Sequence, residues 1–537
     1  MALALDPDPI RRALNRITFG ARPEDVQLVN NMGGLSGWLD DQFNVPAGDD
    51  DALSTHLANQ TMRINYAAPA VNSTGMWTAL DEMRPLLYLT ADTSVLWEVA
   101  TEAGITYATQ ERTRIRQELI GATWLRNAHS RYQLREFMAD FWSNHFNIGK
   151  AETEYATAVL PIFDSQAIRP YVFGNFRQML EATAQSPAML IYLDNWLSTA
   201  TTPNENYARE IMELHTLGQS SYLGVDSSVN GYTIGPDGVA NGFTDADVVQ
   251  NSRVLSGWTI KNGQRSGRQI VPSTGEFFYN PIQHNATATK LLNVDLTLDV
   301  APMAQGLKML DILAYHPNTA TFIVTKLCVR IFGDTPPATA IARGVAAWKA
   351  YAKDQYQIRR VLEAIILGGN EIQTMNAIKI RRPYERLIAL ARTTGTTMNI
   401  SADLTTVLDG LNDGPYAWQG PNGRPDVNQY WLASGTVLNG WNLLIAFPGW
   451  AANTVNLTAL TPASIMASAT NVVEFWVGLM IGHQLDSTRM TALVNDQNGA
   501  SGVPAAYNVR SPVASRIETA LRRLVSMIAT TYEFTYR

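Results

Sequence analysis

The sequence predicts a mainly α-helical protein, a large multi-helix single unit with a small β-hairpin excursion around residues 256–280. Two observations lead to this fold class. Apolar residues recur at i, i+3, i+4 and i+7 spacing along most of the chain, which is typical of amphipathic helices. Strand-like alternation is scarce, and the chain shows no internal repeat of the length that solenoid proteins use.

Helical patterns begin near the N-terminus. The segment DPDPIRRALNRI places an aspartate cap and Pro9 at the start of a helix, and ARPEDVQLVNNMG ends at a glycine. Asn204 is a good N-cap for a central helix, which Gly218 is expected to close. Further long patterns lie at residues 110–128, 131–146, 171–184, 244–257, 300–314, 317–333, 338–352, 355–367, 382–394, 429–446, 469–482 and 511–533.

The best strand signal is SGWTIKNGQRSGRQIVPSTGEFFYN, in which KNGQ is expected to form the turn between WTI and RQIV. Loops rich in Gly, Pro, Asn and Ser are expected near residues 45–55, 219–243, 411–428 and 495–512. We therefore expect a main helical domain over residues 1–435, with a loop and β insertion at 219–285. A C-terminal helical lobe over 436–537 is expected to pack on it.

Composition argues against several classes of protein. Of the 537 residues, 46% are hydrophobic, enough to bury a substantial core. The net charge of −7 and the lack of basic runs predict no nucleic-acid partner. The single cysteine, Cys328, excludes an internal disulfide and a multi-cysteine zinc site. It lies in the apolar pattern TFIVTKLCVRIF, which predicts a buried structural thiol.

The chain contains no predicted transmembrane span, because no stretch reaches the roughly 18 continuous apolar residues that a membrane helix needs. The N-terminus shows no signal peptide. This predicts a cytoplasmic protein, or an exported one whose signal has been removed. The sequence leaves the oligomeric state open.

Histidines in polar segments are the first candidates for a metal or acid–base site. His145 lies at an aromatic helix end in MADFWSNHFNIGK, where it could equally cap the helix. His284 follows the β excursion. His316 precedes Pro317, so it could instead be a helix-junction residue that caps locally. His56, His129 and His483 are expected to be structural or at the surface.

The segment NENYAREIMELHTLG concentrates charge in the central helix. Glu210 and Glu213 share a face, and Arg209 is expected to pair with Glu205 or Glu213. His215 projects roughly 200° around the helix from Glu213, so this helix alone cannot chelate an ion. Any metal bound here needs ligands from other segments. A further carboxylate candidate, in the helix end PAMLIYLDNW, is Asp194.

A loop in GVDSSVNGYTIGPDG has the offsets of a calcium-binding loop. Asp226, Ser228, Asn230 and Asp237 stand at its first, third, fifth and twelfth positions, with Gly231 at the turn. Thr233 stands where an apolar residue is expected, and an aspartate replaces the usual final glutamate. An ordinary loop of Asx turns is the alternative to a calcium site.

Several long motifs resemble one bacterial family, the domain-of-unknown-function family eighteen hundred, over essentially the whole chain. They occur in the order RRALNRITFGARPEDV, GGLSGWLDDQF, MADFWSNHFNI, FRQMLEATAQSPAMLIYLDN, NENYAREIMELHTLG, FTDADVVQNSRVLSGW, HPNTATFIVTKLCVRIFGDTPP, IRRPYERLIALARTTG, GPNGRPDVNQYWLAS and YEFTYR. The resemblance implies an envelope or extracellular role, acting on polymers. It places His145, His215, His284 and His316 inside family motifs. The segment 226–241 departs from the family pattern.

Three functional hypotheses follow. The leading one is a metal-dependent hydrolase acting on a polymer or glycoconjugate, with a divalent metal ion held by His145, His215, His284 and His316. Its catalytic residues would be Glu210, Glu213, Arg209 and Asp194. The second is a non-catalytic envelope or matrix protein whose buried polar residues specify helix packing. The third is a polysaccharide-binding protein that uses exposed Trp258, Trp418 and Trp431.

Overall fold

Local capping chemistry sets many helix boundaries in this protein. Asp8 accepts a hydrogen bond from the backbone N–H of Arg11 at 2.9 Å, and Pro9 occupies the first helical position. Thr244 and Asp247 form a reciprocal capping box at the start of a later helix. The computed structural model describes residues 3–4, 6–46, 48–149, 154–376, 378–396, 398–449, 455–499 and 514–537.

The described helices before residue 220 are α1 (Pro9–Ile17), α2 (Pro23–Asn31), α3 (Leu35–Phe43), α4 (Asp51–Ala58), α5 (Thr93–Thr101), α6 (Thr109–His129), α7 (Gln133–His145), α8 (Glu154–Ala158), α9 (Leu160–Ile162), α10 (Phe176–Ala184), α11 (Pro187–Tyr192) and α12 (Glu205–Glu213).

The later helices are α13 (Asp245–Leu255), α14 (Ala304–Tyr315), α15 (Pro317–Phe332), α16 (Ala338–Ala350), α17 (Gln357–Leu367), α18 (Glu371–Thr374), α19 (Pro383–Thr394), α20 (Ala402–Gly410), α21 (Asn428–Trp431), α22 (Ser434–Ala446), α23 (Leu457–Leu460), α24 (Ala469–Met480), α25 (Ser487–Gly499), α26 (Ala514–Ala529) and α27 (Tyr532–Thr535).

The described strands are short and pair two by two. They are β1 (Thr61–Tyr66) with β2 (Leu80–Pro85), β3 (Tyr222–Gly224) with β4 (Phe243–Thr244), β5 (Trp258–Asn262) with β8 (Ser273–Tyr279), β6 (Arg265–Ser266) with β7 (Gln269–Ile270), and β9 (Lys290–Leu291) with β10 (Val294–Asp295). All pairs are antiparallel except β3–β4. The predicted mainly α fold with a small β excursion is confirmed.

The predicted pairing inside the β excursion is wrong. WTI pairs with the aromatic strand β8, with Trp258 opposite Tyr279, rather than with RQIV. The rings of Trp258 and Phe277 lie 5.6 Å apart, which gives this pairing a packed aromatic contact. Ile270 of RQIV is 67% exposed and belongs to the smaller β6–β7 hairpin. The β1–β2 hairpin was not predicted, because β2 is largely exposed and carries no apolar alternation.

Helix α12 ends at Glu213, before the predicted closure at Gly218. The backbone N–H groups of His215 and Leu217 donate to carbonyls five residues earlier, at 3.1 and 2.8 Å. Such wide turns unwind the end of a helix. The chain therefore leaves the helical path between Glu213 and His215.

Buried apolar side chains from helices along the whole chain form one continuous hydrophobic cluster. It includes Leu444 and Phe534, which lie beyond the expected domain boundary at residue 435. The division into domains at that residue stays a prediction. None of the helices in the described residues is long and apolar enough to cross a membrane.

A buried ionic cluster centred on Asp140 joins distant segments. The carboxylate of Asp140, on α7, contacts the guanidinium groups of Arg330 at 3.1 Å, Arg382 at 2.6 Å and Arg424 at 2.6 Å. Burial alone would raise the pKa of Asp140, but these three cations outweigh it and hold the pKa well below its usual range. Glu385 balances the cluster by contacting Arg330 at 2.5 Å.

We expect Asp140→Asn to lower the free energy of unfolding by about 3–5 kcal/mol, because it leaves buried guanidinium groups without their shared counter-ion. Urea unfolding followed by circular dichroism measures this loss. The matched control is Asp403→Asn, which removes an exposed carboxylate and should stay within about 0.5 kcal/mol. Equal effects of the two substitutions would contradict a stabilising role for the cluster.

Candidate functional site

A cavity of about 440 Å³ lies where several of the motif segments meet. Its walls come from the last turn of α7, the end of α12, one face of α15, the N-cap residue of α19 and the loop 422–427. Each of these segments belongs to a motif on which the family resemblance rests. The volume falls within the range of small-molecule sites in proteins.

Helix α15 supplies the longest wall of the cavity. Phe322, Thr325, Lys326, Val329 and Arg330 line it, at the spacing that places side chains on one face of a helix. The helix begins at the N-cap His316, whose Nδ1 accepts a hydrogen bond from the backbone N–H of Asn318 at 3.0 Å. Apart from Thr325 and the two cations, the side chains on this face are apolar. The lysine therefore projects into surroundings that solvate a charge poorly.

Lys326 donates a hydrogen bond from Nζ to Nδ1 of His145 at 3.0 Å. The other ring nitrogen of His145, Nε2, lies 3.0 Å from the backbone oxygen of His215. A carbonyl oxygen only accepts hydrogen bonds, so Nε2 carries the proton and Nδ1 is the acceptor. Burial and the charge of Lys326 lower the pKa of His145 well below its ordinary value, so the imidazole is neutral.

The ammonium group of Lys326 is poorly compensated. Burial lowers its pKa to about 8, opposed only by the charge of Asp426. In the described part of the chain, Lys326 forms no ion pair within salt-bridge distance, and its hydrogen bond goes to the neutral imidazole. Lys379 is a contrast within the same protein, because its Nζ lies 2.8 Å from a carboxylate oxygen of Asp426.

Two carboxylates stand at the end of α12. Glu213 lines the cavity, and Glu210 lies one turn earlier. Burial, followed by the negative charge of Glu213, raises the pKa of Glu210 to about 6, while Arg209 opposes the shift. Arg209 pairs with Asp245 at 3.0 Å, so the expected pairing with Glu205 or Glu213 is wrong. The tertiary contact between α12 and α13 brings this partner close.

The four predicted metal ligands do not converge. His145 lines the cavity, and His215 is buried behind it with ring centroids 6.2 Å apart. His284 bonds through Nδ1 to the oxygen of Ser256, and His316 bonds through Nε2 to the oxygen of Ala240. Each of these two histidines thus forms a hydrogen bond with a backbone carbonyl near the β excursion.

Among the described residues, no group of three or more His, Cys, Asp or Glu side chains is placed to hold a metal ion. Both ring nitrogens of His145 and of His316 already take part in hydrogen bonds. His215 has both ring nitrogens unpartnered, but it is fully buried. A metal-dependent reaction stays a prediction, which metal analysis of the purified protein tests.

The remaining predicted residues lie elsewhere. Asp194 is exposed at a turn and adopts a left-handed backbone conformation, with φ of 59°. Asp226 accepts a hydrogen bond from the backbone N–H of Ser228, and Asp237 accepts one from Val239. Both bonds are those of local Asx turns. Calcium binding by Asp226, Ser228, Asn230 and Asp237 stays a prediction.

The predicted stacking surface is largely wrong. Trp258 is fully buried, and Trp431 is only 2% exposed. Trp431 donates from Nε1 to the oxygen of Pro425 at 2.7 Å, which holds the loop beside the cavity. Only Trp418 of the three is partly accessible. A polysaccharide partner therefore has no support from Trp258 or Trp431.

Lys326 and Arg424 line the cavity but were not predicted as site residues. The signal for Lys326 is a lone lysine in the apolar helical pattern TFIVTKLCVRIF. Arg424 accompanies Asn144, whose Oδ1 accepts from the backbone N and Nε of Arg424 at 2.7 and 3.0 Å. That contact links residues 280 positions apart, which the sequence pattern does not reveal.

The fold and this site define a class of mainly α-helical proteins in which a half-buried lysine faces an internal cavity. The model of the family described as a protein of unknown function (DUF1800) matches residues 12–536, and the chain belongs to that family. No curated protein and no solved structure matches the chain.

We expect Glu210→Gln to raise the free energy of unfolding at pH 7 by about 0.5–1 kcal/mol, after allowance for solvent screening. The folded carboxyl has a pKa of about 6 against an ordinary 4.5, so wild-type stability falls as pH rises through this window. The stability that Glu210→Gln gains over the wild type should reach its full value above pH 6 and be absent below pH 4.5. Chemical unfolding at a series of pH values measures it.

The control on the same helix is Glu205→Gln, which removes an exposed carboxylate from the first turn. It should lower stability slightly, since that carboxylate interacts favourably with the helix dipole. A marked loss of stability in Glu210→Gln would instead support the buried structural network.

Proposed function

We propose that the cavity is the active site of an enzyme in which Lys326 transfers protons to and from a small substrate. One observation carries the proposal: the Lys326 ammonium donates to a neutral imidazole and is paired with no carboxylate among the residues that the structure describes. Structural lysines in protein interiors are paired, because an unpaired buried charge is costly. A lysine kept in this state is typical of an acid–base group.

The protonation state of Lys326 suits this role. With a pKa of about 8, roughly a quarter of the molecules carry the neutral amine at pH 7.5. An ordinary lysine, with a pKa near 10.4, would be neutral in only about 0.1% of molecules at that pH. The neutral amine can take a proton from the substrate, and the ammonium form can return it.

His145 is a positioning residue in this scheme. Its Nε2–H is tied to the backbone at the end of α12, which orients the ring so that Nδ1 faces Lys326. Glu213 adds a second proton-accepting group in the wall of the same cavity. The apolar side chains in the cavity wall lower the local polarity, which strengthens each electrostatic interaction.

We expect Lys326→Met to raise the free energy of unfolding at pH 7 by about 1–2 kcal/mol, allowing for partial solvent access. Burial lowers the lysine pKa from 10.5 to about 8, so below pH 8 the folded state holds a poorly solvated ammonium. Between these values the unfolded chain binds more protons, and wild-type stability rises with pH. The gain from the substitution should therefore disappear at about pH 10.5.

Thermal and urea unfolding of both proteins from pH 6 to 10.5 measure this difference. Lys379→Met is the matched control, since it breaks an ion pair with Asp426 and should destabilise the protein. If Lys326→Met destabilises the protein as strongly as Lys379→Met does, Lys326 has a structural role.

The reactivity of Lys326 provides a direct test of its proton-transfer state. Brief labelling with acetic anhydride at pH 6 to 11, followed by peptide mass spectrometry, should show Lys326 acetylation rising with a midpoint near pH 8. Any turnover found with small ester or carbonyl substrates should follow the same profile and fall at least 100-fold in Lys326→Met. Turnover that survives this substitution would rule out Lys326 as the proton-transfer group.

A further inference from the structure

We infer that Lys326 forms a covalent imine with an aldehyde or ketone held in the cavity. This inference rests on the proposed function, because it assigns the substrate class of the same site. It goes further in making the lysine a nucleophile rather than only a proton-transfer group. The evidence is the position of Lys326 relative to His145 and the composition of the cavity walls.

The first argument is that the nucleophile and its proton acceptor are already adjacent. Nζ of Lys326 lies 3.0 Å from Nδ1 of His145, and Nδ1 is the ring nitrogen that lacks a proton. This is the distance that a nucleophile and its base need for proton transfer. The backbone contact at Nε2 fixes the ring, so the acceptor stays aimed at the amine.

The second argument is that imine formation needs no group that the site lacks. The neutral amine attacks the carbonyl carbon, a C–N bond forms, and the π electrons move to the carbonyl oxygen. His145 takes a proton from the resulting ammonium nitrogen and passes it to that oxygen, which gives the carbinolamine. A proton from solvent then lets the hydroxyl leave as water while the nitrogen lone pair forms C=N. Overall, one neutral amine, one carbonyl compound and one proton from solvent yield one protonated iminium and one water.

The third argument concerns the body of the ligand. Phe141, Leu214, Phe322, Val329 and Val427 contribute apolar surface to the cavity. The guanidinium groups in its wall are already bound to Asp140, so they are not free to recognise an anion. The site therefore fits a carbonyl compound with an aromatic or alkyl substituent better than a highly charged one.

Reductive trapping tests the inference on the full chain. The protein is incubated with benzaldehyde and sodium cyanoborohydride at pH 7.5, and peptide mass spectrometry locates the benzyl groups. We expect Lys326 to be modified at least 10-fold faster than Lys308, which is exposed on α14. Lys326→Arg, which keeps the charge but cannot form the imine, should abolish the modification at this position.

His145→Gln tests the proton-accepting role of His145 separately from folding. It should slow trapping at Lys326 at least 10-fold, with circular dichroism and urea unfolding reporting whether the fold is kept. Val329→Phe is the second variant, since it narrows the cavity and leaves the lysine and histidine in place. It should also slow trapping at Lys326 and leave Lys308 unchanged.

Modification of Lys326 no faster than that of Lys308 would overturn the imine. The proposed function fails on a different result, namely acetylation of Lys326 without a midpoint near pH 8. If acetylation of Lys326 has its midpoint near pH 8 but no trapping occurs, Lys326 remains a proton-transfer group and is rejected as a carbonyl nucleophile.

Discussion

The contact of one carboxylate with three guanidinium groups organises the centre of this protein. Asp140 on α7 binds Arg330 on α15, Arg382 at the start of α19 and Arg424 in the loop 422–427. Separating these four segments would leave buried charges unpaired, which is strongly unfavourable. The cluster therefore holds the segments together. The same four segments, together with the end of α12, build the cavity. The register of α7 against α15, which the cluster sets, also sets the distance between His145 and Lys326.

The cavity differs from the ionic cluster in how its charges are compensated. In the cluster, opposite charges approach to between 2.5 and 3.1 Å, and the pKa of Asp140 is held low. In the cavity, burial lowers the pKa of Lys326 to about 8, and next to it on α12 burial raises the pKa of Glu210 to about 6. Among the described residues neither side chain forms an ion pair, and by linkage both shifts reduce the free energy of unfolding near neutral pH. Such a division between stable frame and destabilised site is common in enzymes.

Much of the local structure could be predicted from the residues. Pro9 and Pro317 mark helix starts that the structure contains, and the apolar periodicity indicates most of the long helices. His145, which was predicted as a metal ligand, lines the cavity. Contacts between residues far apart in the sequence could not be predicted. Arg209 pairs with Asp245 on another helix, and Trp258 is buried by a strand that the hairpin prediction left unpaired.

The sequence by itself determined the helical class of the protein, helix N-caps such as Asp8 and Asn204, and the family to which it belongs. These depend on interactions between residues a few positions apart, which a pattern records directly. The tertiary structure alone decided which polar side chains share a site. In the fold, His284 and His316 form hydrogen bonds with backbone carbonyls, whereas Lys326 forms one with His145, which lies 181 positions away in the chain. Burial then lowered the pKa of Lys326 and that of His145, because desolvation depends on the whole fold and not on any neighbouring residue.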